Sequence, residues 1–188
     1  MKDPCIRQIL KEKTLLHFIH DNDSKVVEEL TLPVAKARID IAVLNGHFHG
    51  FEIKSASDTL KRLPSQIEAY TKIFDFLTIV TEPKYVKKVC DITPDWIGII
   101  VCDETNGKKS VKQFRKAKHN NSKEGFYIAK LLWREELFDV LTDNNIKFRK
   151  KDRNWILCEE LSSNLTVKKL SNIVREKIKN RPDWKKLQ

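Results

Sequence analysis

The sequence lacks the features that mark membrane proteins, secreted proteins and zinc ribbons. No apolar run approaches the ~20 residues that a membrane-spanning helix needs. The first ten residues have neither the basic region nor the apolar region of a signal peptide. The cysteines form no C-x-x-C pair, so the sequence indicates neither a disulfide framework nor a zinc ribbon. We therefore expect a cytoplasmic protein with reduced thiols and no membrane partner.

Positive charge is concentrated in the second half of the chain. The 188 residues carry a net charge of +10, yet residues 1–104 hold 14 Lys/Arg against 16 Asp/Glu and residues 105–188 hold 22 against 10. The net charge is therefore −2 for residues 1–104 and +12 for residues 105–188. A basic segment of this kind is typical of proteins that bind polyanions, which predicts nucleic acid as the partner. The alternative is a lysine-rich surface that only aids solubility.

Acidic residues interrupt an apolar hairpin between Arg38 and Tyr70. Residues 37–44 alternate as a strand, with Asp40 on one face, and after the turn signal Asn45-Gly46 a second strand puts Glu52 and Lys54 on a common face. Burying a carboxylate is costly unless a cation compensates its charge. Oxygen ligands suit Mg²⁺ or Mn²⁺, so the pattern indicates a divalent metal beside a positioned lysine.

The pairing of the two strands decides whether these carboxylates can meet. A two-residue loop pairs residues whose numbers sum to 91, which puts Asp40 and Glu52 on opposite faces of the hairpin. For both carboxylates to lie on one face, the numbers of paired residues must add up to an even sum. A three-residue loop ending at Gly46 gives a sum of 90 and places Asp40 diagonal to Glu52, roughly 7–8 Å away. A two-residue hairpin with a bulge near Gly50 also restores the parity.

The same stretch resembles a known enzyme family. Asp40, the Glu52-Ile53-Lys54 triplet and the helix segment from Gln66 to Tyr70 resemble the PD-(D/E)XK nuclease superfamily. More narrowly, the chain resembles an uncharacterised bacterial branch with the motifs R-x-D-I-A-V-x-N-G, E-I-K-S, R-L-P-x-Q-x-E-A-Y and L-L-W-R-E-E. The resemblance extends from about Val26 onward. Ile39 departs from it, because the superfamily pattern has proline there.

The resemblance implies a metal-dependent nuclease that hydrolyses phosphodiester bonds, with DNA as the expected substrate. Asp40, Glu52 and the carbonyl of Ile53 would hold Mg²⁺ or Mn²⁺. Lys54 would orient the attacking water and stabilise developing charge, and Gln66 would position Lys54 or the substrate. Two alternatives stay open: a nucleic-acid-binding protein that keeps the fold without activity, and an RNA-processing nuclease.

Further residues are expected to support the site. Glu29 is favoured as an additional metal ligand, with Glu28 and Glu12 as alternatives. The residues expected to contact nucleic acid are Lys61, Arg62, Tyr70, Lys147, Arg149, Lys150 and Lys151. The histidine pairs His17/His20 and His47/His49 are interpreted as exposed surface.

The periodicity of the chain predicts an α/β fold, with a mixed central β-sheet flanked by helices. By the resemblance, residues 1–118 form a restriction-endonuclease-like core, and residues 119–188 form a basic, mainly helical C-terminal region. Predicted helices cover Ile6–His20, Pro64–Phe74, Phe126–Leu141 and Leu165–Ile178. Predicted strands cover Lys25–Leu32, Phe76–Thr81, Asp95–Cys102 and Ser110–Lys116. The C-terminal helices form either a nucleic-acid-binding appendage or a cap on the sheet. The sequence leaves the oligomeric state open, a homodimer included.

Overall fold

The structure is a computed structural model that describes residues 1–35, 37–55 and 58–182. Its strands are β1 (Lys25–Thr31), β2 (Arg38–Leu44), β3 (Phe48–Lys54), β4 (Phe76–Thr81), β5 (Gly98–Thr105) and β6 (Lys108–Arg115). Its α-helices are α1 (Asp3–Leu10), α2 (Leu16–His20), α3 (Leu63–Thr71), α4 (Val86–Ile92), α5 (Gly125–Ala129), α6 (Arg134–Asp143), α7 (Asn154–Asn164) and α8 (Val167–Lys179). A π-helical segment, Lys11–Leu15, joins α1 to α2.

The strands form one six-stranded mixed sheet in sequential order. β1, β2 and β3 are antiparallel, β3, β4 and β5 are parallel, and β6 returns antiparallel to β5. The parallel pairs have helical connections through α3 and α4, as parallel neighbours require. The prediction of an α/β fold with a mixed sheet and a mainly helical C-terminal region is confirmed.

Apolar side chains cover both faces of the sheet. On one face, Ile6, Ile9 and Leu10 of α1 pack with Ile41 and other strand residues in one buried cluster. On the other face, a larger cluster joins strand residues to α3 and to the C-terminal helices. Alternation along each strand separates the two clusters, so one strand supplies residues to both.

The C-terminal helices cap the sheet. Leu170, Val174 and Ile178 of α8 belong to the same buried cluster as Leu44 and Phe48 of the hairpin. Of the two arrangements that the sequence left open for this region, the described residues adopt the cap. The division into a core of residues 1–118 and a C-terminal region of residues 119–188 stays a prediction.

The single helix predicted over Phe126–Leu141 is wrong, because the structure divides it into α5 and α6. The backbone N–H of Trp133 donates to the Glu136 carboxylate at 2.8 Å, which caps the start of α6. Arg181 binds Glu136 and also donates to the carbonyl of Leu131 at 2.8 Å. These tertiary contacts fix the break between the helices.

The β2–β3 register is even, as predicted, but its sum is 92 rather than 90. Ile41 pairs with Phe51 and Leu44 pairs with Phe48, which leaves the three-residue loop 45–47. Gly46 has a φ of +92°, a conformation that glycine adopts readily. The last pair of the ladder is Ile41 with Phe51. One residue further along, the same register places Asp40 across from Glu52.

The expectation that His47 and His49 are both surface residues is half wrong. His47 is exposed in the loop. His49 is half-buried, stacks on the Phe51 ring at 4.2 Å and hydrogen-bonds the Thr78 hydroxyl at 3.0 Å. Burial lowers the pKa of His49 to about 4, so the ring is neutral at pH 7. In the part of the chain that the structure describes, no helix has the length and apolar character to cross a membrane.

Candidate functional site

Glu52 lies at the centre of a buried polar cluster formed by β3 and α3. Its Oε1 accepts from the Lys54 ammonium at 2.6 Å and from the Gln66 amide at 2.8 Å, and its Oε2 accepts from the Tyr70 hydroxyl at 2.7 Å. Gln66 and Tyr70 share one face of α3 because they are four residues apart. Glu52 is only 3% exposed. Three donors therefore compensate its burial.

Asp40 lies beside this cluster and is held from two sides. Its Oδ2 accepts the backbone N–H of Ile53 at 2.7 Å, and its Oδ1 accepts from the Arg7 guanidinium at 3.1 Å. Burial and then the charge of Glu52 raise the pKa of Asp40 to about 7, although the Ile53 hydrogen bond and Arg7 oppose the shift. In the absence of a further cation, ionised Asp40 is therefore undercompensated.

Burial also raises the pKa of the Tyr70 phenol, with the Glu52 charge as the second cause. Tyr70 thus stays protonated and acts as a donor. Its oxygen also lies 2.9 Å from the carbonyl of Arg38. The Gln66 oxygen completes the network by accepting from Lys54 at 2.9 Å.

The cluster opens into a surface cavity of about 500 Å³. Asp40, Glu52 and Lys54 line it on the side of the sheet, and Arg38 and Arg62 are exposed around it. The sequence prediction placed Asp40, Glu52, Lys54 and Gln66 in one site, and the structure brings them together. It places Ile53 there as well, with its N–H on Asp40.

The additional acids lie apart from this cluster. The Glu29 carboxylate pairs with Arg7 at 2.8 Å and with Arg38 at 2.7 Å. Among the described residues it does not form a three-ligand group with Asp40 and Glu52. Glu28 pairs with Lys11, and Glu12 accepts from Gln8 on the helix surface. Glu29 has a φ of +57°, which is uncommon for a residue with a side chain in a strand.

Sequence analysis did not identify Arg7. Its guanidinium contacts the Asp40 side chain, the Asp40 carbonyl at 2.9 Å, Asp3 and Glu29. It reaches the site from α1, 33 residues before Asp40. Neither spacing nor a short motif connects the two positions, so the sequence holds no local signal for this contact.

The predicted phosphate-binding residues occupy two surfaces. Lys61 and Arg62 are exposed at the start of α3, and Tyr70 is buried in the cluster. Residues 147–153 form an exposed connector between α6 and α7, which we call the basic loop. Arg149 is paired there with Asp152 at 3.0 Å. Within the described residues, no ion pair involves the three lysines of the loop, which are Lys147, Lys150 and Lys151.

The donor set of the cavity fits a small divalent cation. Mg²⁺ in proteins is typically held by one or two carboxylates, with water or ligand phosphate completing its coordination. Asp40 and Glu52 supply that pair, and the raised pKa of Asp40 indicates that the site favours added positive charge. Each Asp40 oxygen and Glu52 Oε2 accepts a single hydrogen bond from a donor named above, and a carboxylate oxygen has two lone pairs.

Comparison with known proteins assigns the family. The family model described as Bacteriophage P4 protein cII matches residues 5–186. The chain belongs to the P4 cII family. Protein cII of Enterobacteria phage P4 is 30% identical over 160 residues, which cover 85% of this chain and 60% of that protein. The chain therefore spans about 60% of the length of this relative.

A solved structure, described as the SPO1766 protein of unknown function from Silicibacter pomeroyi, is also similar. Its TM-score is 0.44 at 16% sequence identity, and the match covers 61% of this chain and 70% of that chain. A likeness at this level supports no functional conclusion.

Membership of the P4 cII family corrects the assignment made from the short motifs. The match covers residues 5–186, whereas the resemblance to the PD-(D/E)XK nucleases depended on a few separate motifs. The predicted nuclease family is therefore wrong. The predicted phosphodiester hydrolysis, the metal-dependent nuclease activity and the RNA-processing alternative depended on it and are wrong as well. The positions of Asp40, Glu52, Lys54 and Gln66 do not depend on the family name.

Proposed function

We propose that this protein binds nucleic acid, and that a divalent cation held by Asp40 and Glu52 joins it to a phosphate group. The cation is Mg²⁺ or Mn²⁺, and the proposal concerns binding alone. The observation that supports it best is the arrangement of charge in the 500 Å³ cavity. Two close carboxylates lie on its wall, and exposed guanidinium groups surround them.

The carboxylates favour a cation because the protein supplies too little positive charge of its own. Lys54 neutralises Glu52 directly, at 2.6 Å. Among the described residues, Asp40 forms an ion pair only with Arg7, which is shared with Asp3, Glu28 and Glu29. A bound divalent ion lowers the energy of the doubly ionised state, because it interacts with both carboxylates at once.

The rim of the cavity favours an anionic ligand. Arg62 is exposed there and makes no ion pair with another described residue. Arg38 is 63% exposed and pairs with Glu29 through Nε at 2.7 Å. Guanidinium groups donate to phosphate in a planar, two-pronged geometry, so these residues are suited to a phosphate that also contacts the cation.

The wider charge distribution favours a polymer over a small phosphate. Residues 105–188 carry +12, and the three lysines of the basic loop are exposed. A chain of phosphates can contact several separate cations and release counterions at each. A small phosphate ligand uses only one such site.

The test is binding of labelled duplex DNA, single-stranded DNA and RNA, measured by fluorescence anisotropy in Mg²⁺ and in EDTA. Ionic strength is kept constant, because added Mg²⁺ also screens phosphate charge. We expect Mg²⁺ to tighten binding of wild-type protein by roughly tenfold, which is 1.4 kcal/mol and typical of one charge-assisted contact. Asp40→Asn and Glu52→Gln should bind equally in both buffers.

Asp143→Asn is the matched control, because Asp143 is an exposed acid on α6. It should keep the response to Mg²⁺. Two results would contradict different parts of the proposal. Failure to bind any of the three nucleic acids refutes the function. Equal affinity of wild-type protein in Mg²⁺ and EDTA keeps the function and refutes the role of the cavity.

A further inference from the structure

A second polar group lies at the other end of β3. His47, Asp75 and His119 present one ligand atom each, and these atoms all lie within 4.8 Å of one another. His47 belongs to the β2–β3 loop, Asp75 directly precedes β4, and His119 follows β6. We infer that these three residues bind a transition metal of the Zn²⁺ type. This inference does not depend on the proposed function.

One distance in the group equals the ligand spacing of a zinc site, and another is longer. His119 Nε2 lies 3.4 Å from Asp75 Oδ1, and His47 Nδ1 lies 4.0 Å from Asp75 Oδ2. Ligand atoms around a tetrahedral zinc ion with bonds of about 2.0–2.1 Å are about 3.4 Å apart. The His47 side chain is 54% exposed, so the proposed site has its ring turn toward the metal to shorten the larger distance.

The backbone of Asp75 holds both histidines in register. Its N–H donates to the Phe48 carbonyl at 2.8 Å, and its carbonyl accepts from the Asn120 N–H at 2.8 Å. Phe48 directly follows His47, and Asn120 directly follows His119. The Asp75 side chain also accepts from the Phe48 N–H at 2.8 Å. The backbones that carry the three ligands are therefore held close to one another before any metal binds.

A neighbouring amide selects the nitrogen of His119 that faces Asp75. The Asn121 side-chain oxygen lies 3.0 Å from His119 Nδ1. Because an amide oxygen only accepts, this contact places the proton on Nδ1 and leaves the Nε2 lone pair directed toward Asp75. Metal-binding histidines typically have their second nitrogen held in this way.

The chemistry of the ligands selects the metal. Two imidazoles and one carboxylate, with a position left for water, are the ligands of catalytic zinc sites. Imidazole favours zinc over Mg²⁺, which prefers oxygen. The group should therefore prefer Zn²⁺, whereas the oxygen ligands of Asp40 and Glu52 should prefer Mg²⁺.

Cationic side chains lie near the group, so a competing interpretation is that the cavity binds an anion. The Lys123 ammonium contacts Asp75 Oδ1, and Lys168 and Arg175 line the same cavity of about 480 Å³. Lys123 has a second acceptor, the Ser171 hydroxyl at 3.3 Å, to which it can remain bonded when Asp75 binds a metal. Without a metal, the same cations would form an anion site. The experiment must therefore separate a metal from an anion.

The experiment titrates the reduced 188-residue protein with ZnCl₂ by calorimetry and with CoCl₂ by visible absorption. We expect one saturable site and the intense visible bands of four-coordinate cobalt. His47→Ala and His119→Ala should remove this binding. Asn121→Ala should weaken it by about tenfold, the effect of losing a residue that orients a ligand. His20→Ala is the control, because His20 is an exposed histidine outside the group.

Both ligand variants change exposed side chains, so circular dichroism should show the wild-type fold. Wild-type affinity in His119→Ala would overturn the inference. A thiolate-to-cobalt charge-transfer band would also overturn it, since this would place the metal on cysteine. A third contrary result is the absence of Zn²⁺ binding together with binding of inorganic phosphate, because the cavity would then be an anion site.

Discussion

The raised pKa of Asp40 makes the stability of the metal-free protein depend on pH. With a pKa of about 7 in the folded state and 3.8 as the ordinary value, the native state binds more protons than the unfolded state between those pH values. Stability must therefore fall as pH rises from about 4 to about 7. Asp40→Asn removes the ionisable group and with it this loss.

The magnitude follows from the size of the shift. One pKa unit corresponds to 1.36 kcal/mol, so the shift amounts to at most about 4 kcal/mol above pH 7. Asp40 is 20% exposed, which keeps solvent screening modest. At low pH both side chains are uncharged, although the protonated acid has one O–H donor and the amide has two N–H donors. The difference in stability measured at low pH is therefore the baseline for the comparison. The advantage of Asp40→Asn should then grow by about 1.4 kcal/mol per pH unit and level off near pH 7.

Urea unfolding in EDTA, at several pH values from 4 to 8, measures this difference directly. Other titrating groups largely cancel between wild type and variant. Asp143→Asn, measured in the same buffers, is the comparison for loss of an exposed acid outside the cavity. A flat difference for Asp40→Asn would refute the reasoning, since it would mean that Arg7 fully compensates the Asp40 charge. Addition of Mg²⁺ should stabilise only wild-type protein and so reduce the advantage of the variant.

Three further predictions concern the same fold. Tyr70→Phe removes the hydroxyl that donates to Oε2 of buried Glu52 and should lower the free energy of unfolding by about 1–3 kcal/mol in urea titrations. Gly50→Ala puts a methyl group 3.1 Å from the Phe74 ring and should destabilise by about 1–3 kcal/mol, measured in the same way. Changing the three lysines of the basic loop to glutamine should reduce the salt dependence of nucleic-acid binding by a slope of at most about 2.7, while the same change at Lys84, Lys87 and Lys88 around α4 should not.

The sequence predicted the fold wherever local alternation decides the structure. β4 and the first half of β5 are short apolar runs that read as buried strands, and in the β2–β3 hairpin alternation places side chains on defined faces. The even parity of that hairpin follows from the need to place Asp40 and Glu52 together. The sum of 92 did not follow, because it depends on whether the three-residue loop begins at Leu44 or at Asn45. Both choices keep the same side chains on the same faces.

The break between α5 and α6 shows where local pattern fails. Leu131 and Leu132 continue a helical periodicity, so the sequence predicts an uninterrupted helix. The structure ends α5 before them, and Arg181, 50 residues away, binds the Leu131 carbonyl. A contact at that separation leaves no trace in a window of neighbouring residues.

The candidate sites also contain some residues that local pattern could place and others that it could not. Glu52 and Lys54 share a strand and Gln66 and Tyr70 share a helix face, so their convergence could be predicted from spacing. The contact of Arg7 could not be predicted, and neither could the group of His47, Asp75 and His119, whose members are 28 and 44 residues apart and lie on three separate segments.

The error in the predicted function came from a different step. Residues that meet in one site do not by themselves specify a reaction, so the motif supported a location but not an activity.

The two proposed cation sites lie at opposite ends of the same pair of strands. β3 and β4 are parallel, with Glu52 near the C-terminal end of β3 and Asp75 just before the N-terminal end of β4. Glu52 is five residues beyond His47, roughly 17 Å along an extended strand. Glu52 and Asp75 are each only 3% exposed, so the separation of the two sites depends on this distance and on their different ligands rather than on screening by salt. Because one site offers only oxygen and the other offers imidazole, Mg²⁺ and Zn²⁺ should each act at one end. A variant of either site is therefore an internal control for the other. Loss of both responses on changing Asp40 alone would mean that the sheet couples the two ends.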